Sequence, residues 1–367
     1  MTRGEQSSTG RRPLSRRRKL LFACVPLVVL LALGEVVARW FRASRSHSPF
    51  MTGSFRDQRV DLMRRGYPSA YDPQLGYVPR AGFASGENRW GTQVSIGERG
   101  LRSNTFGGGN PTVSSTSMRG VLAVGDSFTF GDQVSDHETW PARLEHHLQR
   151  PVWNGGVFGY SFTQTVLRAE ALLPTLPVDT LVVGLIPDDL KRCEMSRRYT
   201  EVPWYDLVDG ALVLKNVPVP DSDRSELDRQ YVRKALGYSA LADLVFWNAC
   251  PEWWVGQQRE VYVHARGTGV VIATKLLERL AATCRSRPIR LLVVLQDVAT
   301  PQDWSIADGQ AFVKVAKELG VPCLDLQSEF AALAATDPSL RTKWFAGHMT
   351  AAGNAWVAER IAAELRR

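Results

Sequence analysis

Val121-Leu-Ala-Val-Gly-Asp-Ser-Phe-Thr-Phe-Gly131 is the stretch whose reading decides the fold. Its apolar start reads as a buried strand, which breaks at Gly125-Asp126 and delivers Ser127 just past the strand's end. In an open α/β sheet that is where ligands bind. Gly-Asp-Ser also suits an ordinary turn. A nucleophilic Ser127 therefore requires three further groups from the rest of the chain: a base, an orienter for that base, and donors to an oxyanion.

Outward from this stretch, strands and helices alternate. Arg119–Val124 is the first strand. Ser135-Asp-His-Glu138 has the pattern of a capping box, with Trp140, Leu144 and Leu148 on one face of the helix it starts. A second strand at Val152–Gly156 precedes a helix at Thr163–Leu173, and Thr180–Ile186 is a third, strongly apolar strand. Further on, Thr274–Cys284 is helical, Ile289–Leu295 a strand, Asp308–Leu319 helical, Val321–Leu326 a strand and Ala351–Leu365 a closing helix. This alternation predicts an α/β domain with a central parallel sheet covered on both faces.

Upstream, Tyr71–Tyr77 and Val94–Arg102 read as turns and short strands, and Thr105–Pro111 as a glycine-rich connector. The connector's three glycines lack the Gly-Lys-Ser/Thr that a phosphate loop needs. Between about 191 and 270 the alternation fails. That region carries Trp204, Trp247, Trp253 and Trp254 and the mixed-charge stretch Asp221–Arg229, and reads as an insertion packed over or beside the strand ends. Its tryptophans form a small core of their own or stack on sugar rings, the former being the more economical reading.

The 367 residues are 44% hydrophobic and 22% charged, ordinary values for a globular chain. The net charge of +8 is uneven, because Arg11, Arg12, Arg16, Arg17, Arg18 and Lys19 crowd the start. Placed directly before an apolar run, this block sets membrane orientation rather than marking a nucleic-acid site. The run extends from Leu20 to Gly34 and, after Glu35, through Val36–Ala38. It predicts a signal-anchor at 20–38 following a basic cytoplasmic tail at 1–19. A stalk at 39–70 and an extracytoplasmic domain at 71–367 would follow. The competing reading is a signal peptide cut after Ala32-Leu-Gly34. The five cysteines show no metal-ligand spacing. Cys284 and Cys323 read as buried thiols, and Cys193 and Cys250 as a pair that an extracytoplasmic location would let oxidise.

Four blocks line up just beyond strands or before helices: Gly125-Asp-Ser-Phe-Thr-Phe-Gly131, Asn154-Gly-Gly-Val-Phe-Gly-Tyr160 with Gln164, Gly184-Leu-Ile-Pro-Asp-Asp189, and Gly347-His-Met-Thr-Ala-Ala-Gly-Asn354. In this order the chain resembles the SGNH/GDSL hydrolase family over roughly residues 70–367, and the lead-in turns resemble those of its membrane-tethered bacterial members. The resemblance implies a flavodoxin-like three-layer fold. It also implies Ser127 as nucleophile, His348 as base, and the backbone N–H groups of Ser127 and Gly159 as oxyanion donors. A glycine at 159 would let that N–H approach substrate with no Cβ in the way. No cofactor and no metal are implied.

The chain departs from the family pattern twice. Asp188 stands where the family's oxyanion-hole amide stands, and a carboxyl group donates there only when protonated. The acid usually found shortly before the histidine is missing, since Trp344-Phe-Ala-Gly-His348 offers Phe345 and Ala346. A backbone carbonyl or a carboxylate from elsewhere must replace it, leaving a Ser–His dyad. Two functional classes follow. One is a membrane-tethered serine esterase or acyl-transfer enzyme acting on O-acyl esters, with surface glycans as substrates. The other is a degenerate domain that binds acylated glycan or a protein partner without turnover. A nucleotide-binding doubly wound protein is disfavoured, because the loop after the first strand lacks the glycine spacing a pyrophosphate needs.

Overall fold

The strands after residue 118 are apolar almost without interruption, and the reason is that both sheet faces are covered. In the first central strand, β1 (Gly120–Val124), Leu122 and Val124 face one core while Val121 and Ala123 face the other. The strands β2 (Val152–Asn154), β3 (Val178–Leu185), β4 (Arg290–Leu295) and β5 (Cys323–Asp325) complete the sheet. Leu181, Val183 and Leu185 of β3 and Leu291, Val293 and Leu295 of β4 share the first core, and Val182, Leu292 and Val294 share the second. The order β5-β4-β3-β1-β2, all parallel, is the flavodoxin-like doubly wound arrangement, with its switch point between β1 and β3. The three-layer α/β fold expected from the sequence is therefore the observed one.

The computed structural model describes residues 15–45, 53–65, 68–85, 91–105, 119–198, 200–221, 230–256 and 260–367. Several sequence readings fall outside them: residues 1–14 of the basic tail, parts of the stalk (46–52, 66–67), 106–111 of the glycine-rich connector and 222–229 of the mixed-charge stretch. The chain forms two compact units, residues 1–57 with 230–254 and residues 58–229 with 255–367. The stretch from 191 to 270 thus contributes to both.

In the first unit, α1 (Arg16–Arg45) runs well past the expected anchor and contains an apolar segment, Cys24–Ser44, of mean hydropathy 1.9. By length and composition it is able to cross a membrane. The second unit holds the sheet and its helices. The first of these are α2 (Ser127–Phe130), α3 (Trp140–Leu148), α4 (Phe162–Leu172) and α5 (Pro187–Arg192). In the first unit, α6 (Tyr231–Leu236), α7 (Ala240–Ala249) and α8 (Pro251–Val255) follow, α8 ending at the unit boundary. Back in the second unit come α9 (Thr268–Ser286), α10 (Asp303–Glu318), α11 (Leu326–Thr336), α12 (Ser339–Trp344) and α13 (Ala351–Leu365). Helices α4, α9 and α10 cover one face of the sheet, while α3, α11 and α13 cover the other.

Two local readings change. The Ser135–Glu138 capping box closes a 3-10 turn at Asp136–Glu138, and Thr139 is the residue that caps α3, accepting from the Ala142 N–H. Pro141 near the helix start explains the shift, since a proline fits the first turn, where its missing N–H costs nothing. Cys193 and Cys250, read from the sequence as a pair, fall in different units, and each is a free thiol in its own unit. Cys193 sits inside the first core beneath α4, its sulfur 3.6 Å from the Thr163 hydroxyl, and burial pushes its pKa up to about 11.

A third apolar cluster closes the end of the domain where β1 and β2 finish. The hairpin of Ser69–Asp72 with Gly76–Pro79 supplies Leu75 and Tyr77, and Val94 and Ile96 join Phe130, Phe158 and Tyr160. Asp72 Oδ1 accepts from the Gln74 and Leu75 N–H groups and makes the hairpin turn. The Tyr77 hydroxyl donates to the Phe158 carbonyl at 2.8 Å, the Tyr160 hydroxyl returns a bond to the Tyr77 carbonyl at 2.5 Å, and Gln164 Nε2 donates to the Leu75 carbonyl at 2.8 Å. The loop carrying Gly159 is thereby tied to the hairpin.

Candidate active site

Ser127 is the first residue of α2, directly beyond β1, and Asp126 caps that helix by accepting from the Phe128 N–H at 2.9 Å. The strand-to-helix turn is tight. A Cβ on Gly125 would lie 2.2 Å from Thr129 Oγ1 and 2.4 Å from the Gly184 carbonyl, so only glycine fits. His348 lies in a two-strand hairpin, Phe345–Ala346 against His348–Met349, just before α13. The fold brings the two together: His348 Nε2 is 3.0 Å from Ser127 Oγ across 221 positions of sequence. Ser127 is 5% exposed, and its hydroxyl also lies 3.3 Å from Asp126 Oδ2.

The floor beneath Ser127 is charged and buried. Arg192 Nη1, from the end of α5, reaches Asp189 Oδ1 at 2.5 Å, Asp126 Oδ2 at 3.4 Å and the Tyr160 carbonyl at 2.9 Å. Burial opposes the Arg192 charge, but the Asp189 and Asp126 carboxylates outweigh it and hold the guanidinium ionised. Two carboxylates share one cation, and burial together with the neighbouring Asp126 pushes the Asp189 pKa well up. Asp189 also accepts from the Ile186 N–H at 3.0 Å, fixing the turn from β3 into α5.

Asp188 is half-buried in the first turn of α5, whereas its neighbour Asp189 is the one fully buried and bonded inside. Gly159 lies on the loop after β2 with φ +73. Its glycine requirement differs from the expected one. A Cβ there would come 2.7 Å from Arg198 Nη1 and 3.1 Å from the Tyr77 hydroxyl, and the left-handed backbone excludes most side chains by itself. Among the described residues, neither the Ser127 N–H nor the Gly159 N–H has a protein acceptor.

The missing acid is accounted for by the core. Phe345 is buried against Phe330 and Met349, and Ala346 is exposed opposite His348 in the hairpin. The carboxylate nearest the imidazole comes from the other side: Asp132 Oδ2 is 3.7 Å from His348 Nε2, one residue beyond the Gly131 that ends α2. Asp132 faces the nitrogen that also faces Ser127. Among the described residues no group accepts from Nδ1. The His348 main chain is held by Gln133, whose Oε1 accepts its N–H at 3.1 Å, and its ring packs on Phe128 with centroids 5.3 Å apart.

Arg102 fixes the loop that carries Asp132 and Gln133. It is fully buried, donates from Nε to Asp136 at 2.9 Å, and from its other nitrogens to the carbonyls of Phe130, Gly131 and Val134. Burial pulls its pKa down and the Asp136 carboxylate opposes that. Sequence reading missed Arg102, Asp132, Gln133 and Arg192 as site residues. For Asp132 and Gln133 the signal lay in their position, directly after the Gly131 that closes the nucleophile turn. Among the described residues no cluster of His, Cys, Asp or Glu is arranged to hold a metal ion.

The fold and site define a class: a flavodoxin-like three-layer α/β domain with a serine at the end of its first strand and a histidine in front of its last helix. No family model matches the sequence, and no curated protein matches it. Among solved structures the chain is similar to a lipolytic protein of the G-D-S-L family from Desulfitobacterium hafniense, at 13% identity and TM-score 0.37, over 66% of this chain and 97% of that one. It is also similar to a lipase/acylhydrolase from Enterococcus faecalis, at 12% identity and TM-score 0.39, over 68% of this chain and 96% of that one. An acetylxylan esterase from Geobacillus stearothermophilus, in a catalytic-mutant form, is 14% identical with TM-score 0.38 over 68% of this chain and 94% of its own.

Proposed function

We propose that the protein is a membrane-tethered, SGNH-type serine esterase or acyl-transfer enzyme that acts on O-acyl esters outside the cytoplasm. The observation that carries the reading is the 3.0 Å contact between Ser127 Oγ and His348 Nε2. Ser127 Oγ attacks the ester carbonyl while its proton passes to His348 Nε2. The carbonyl oxygen becomes an oxyanion received by the N–H groups of Ser127 and Gly159. The tetrahedral species collapses, the ester C–O bond breaks, and the leaving alkoxide takes the proton back from His348. The acyl group then rests on Ser127 until water or an acceptor alcohol, deprotonated by the same nitrogen, removes it.

Asp132 supports the imidazolium formed in each step. At 3.7 Å and largely buried, a carboxylate stabilises a positive charge by on the order of a few kcal/mol. This is electrostatic support without the tautomer-fixing bond of an ordinary triad, because Asp132 and Ser127 share one nitrogen. Asp188 would add a third donor only when protonated. A glycan as the acyl carrier is supported by the predicted extracytoplasmic placement, which follows from the basic block before the apolar run at Leu20. The alternative of binding without turnover is the outcome left if the serine proves inert. Ser127→Ala tests the assignment: hydrolysis of p-nitrophenyl acetate should fall by about 10³-fold or more. Undiminished turnover would remove Ser127 from the chemistry.

A further inference from the structure

The first unit contains a second apolar element besides α1. Helix α7 has the sequence Ala-Leu-Ala-Asp-Leu-Val-Phe-Trp-Asn-Ala, with one charged residue in 10. That residue, Asp243, is fully buried, accepting from Arg42 Nη1 at 2.5 Å and from Trp254 Nε1 at 2.8 Å. The helix therefore presents no charge to its surroundings, and Val245 is 50% exposed on it. At about 1.5 Å per residue it is only about 15 Å long, too short to cross a bilayer and of the length expected for an interfacial or re-entrant segment.

Its depth is set by α1. The Glu35 carboxylate accepts from the N–H groups of Ala240 and Leu241 at 2.9 and 3.0 Å and from the Ser239 hydroxyl at 2.7 Å, so an acid of α1 caps the start of α7. Arg39 ties the same carboxylate at 2.6 Å and reaches the Tyr238 carbonyl at 2.8 Å. Leu241 packs on Gly34, where a Cβ would stand 3.0 Å from its methyl. Glu35 directly follows the uninterrupted apolar stretch Leu20–Gly34 and stands four residues before Arg39, so α7 begins near the level where α1 turns from apolar to polar. The unit also exposes Trp40, Tyr231, Tyr238 and Trp253, ring types that gather at membrane–water boundaries. Arg233 lies over the Trp253 ring at 5.4 Å, an arrangement with a polar head above an apolar body.

We propose that residues 230–254 are a second membrane-binding element, seated in the headgroup–acyl boundary of the lipid bilayer that α1 crosses. The proposal rests on reading α1 as an uncleaved anchor. The partner is the lipid surface itself: Val245 of α7 and Val232 of α6 are exposed in the same unit as the exposed apolar side chains of α1, and the polar groups where α1 and α7 meet are bonded to one another.

The test uses the full chain in phosphatidylcholine–phosphatidylglycerol vesicles. Cys24, Cys250 and Cys323 are replaced by serine, and an environment-sensitive NBD label is placed singly through Leu30→Cys, Val245→Cys, Val232→Cys or, as an aqueous reference, Ser286→Cys. Lipids with a nitroxide near the headgroup are then added. The expected result is quenching of about twofold or more at positions 245 and 232 and at the anchor position 30, with none at 286. Quenching at 30 without quenching at 245 and 232 overturns the second element and leaves the anchor. Absence of quenching at 30 overturns the anchor reading and this inference with it. Val232 and Val245 lie on different helices, so a folding defect in one variant leaves the other to decide.

Discussion

Ser127 stands on a floor of buried charge, whereas His348 hangs from a two-residue strand at the surface. Beneath the serine, Arg192, Asp126 and Asp189 are bonded to one another, to the Tyr160 carbonyl and to the turn after β3. Beside the histidine there is one main-chain bond from Gln133, one aromatic contact and one carboxylate at 3.7 Å. The first arrangement locks a geometry at the cost of burying three ionisable groups, and the second leaves the base half-buried and its Nδ1 without a protein acceptor among the described residues. The comparison teaches that this chain invests its rigidity around Ser127, the proposed nucleophile, more than around His348. The base depends on a single loop, clamped from behind by Arg102.

The largest expected effect breaks the rigid side. Arg192→Met leaves Asp126 and Asp189 buried without their cation and should cost about 3–5 kcal/mol of unfolding free energy, measured by urea denaturation. The loss carries a pH signature. Asp189, whose folded pKa is already raised and loses the opposing Arg192 charge, binds more protons folded than unfolded, so the variant's stability should decline as pH rises from the ordinary carboxylate range toward neutrality. A variant as stable as the parent and flat with pH would show that the floor is incidental.

The intermediate effect concerns the flexible side. Asp132→Asn keeps the shape and removes the charge, and should lower kcat for p-nitrophenyl acetate by about 10–100-fold with little change in KM. Ala346→Asp addresses the other nitrogen, since cross-strand partners share a face and Ala346 is paired with His348. A gain of about tenfold or more in kcat would show that orientation of the imidazole limits the natural protein. No gain, combined with a large loss in Asp132→Asn, would make Asp132 sufficient.

The smallest effect is that of Gln133→Ala. It removes one bond to the His348 main chain, worth about 0.5–1.5 kcal/mol, and should lower kcat a few-fold while leaving the melting temperature nearly unchanged. A loss as large as that of Asp132→Asn would move the weight of the base side from charge to positioning.

What the sequence made legible divides along the same line. The five strands and the sheet type follow from apolar runs, which are local patterns, whereas the proximity of Ser127 to His348 was implied by the family resemblance that four short blocks carry. Arg102 and Arg192 were not legible, because their acids lie 34 and 66 positions away for the pairs Arg102–Asp136 and Arg192–Asp126, and no periodicity marks such a pair. The pairing of Arg192 with Asp189, by contrast, is a helical i,i+3 contact that spacing does reveal. Asp132 escaped because the acid was sought before the histidine, where Phe345 instead fills the core. The helices α11 and α12 were passed over between the last strand and the closing helix. The union of 230–254 with the N-terminal helix rests on bonds spanning about 200 positions, again beyond any local signal.

The central claim is that His348 activates Ser127 in the folded protein, and labelling by a serine-reactive fluorophosphonate tests it most directly. The account predicts covalent modification mapped to Ser127 by mass spectrometry, lost on heat denaturation and in His348→Ala. Folded protein that takes no label, or that labels equally well without His348, would contradict it.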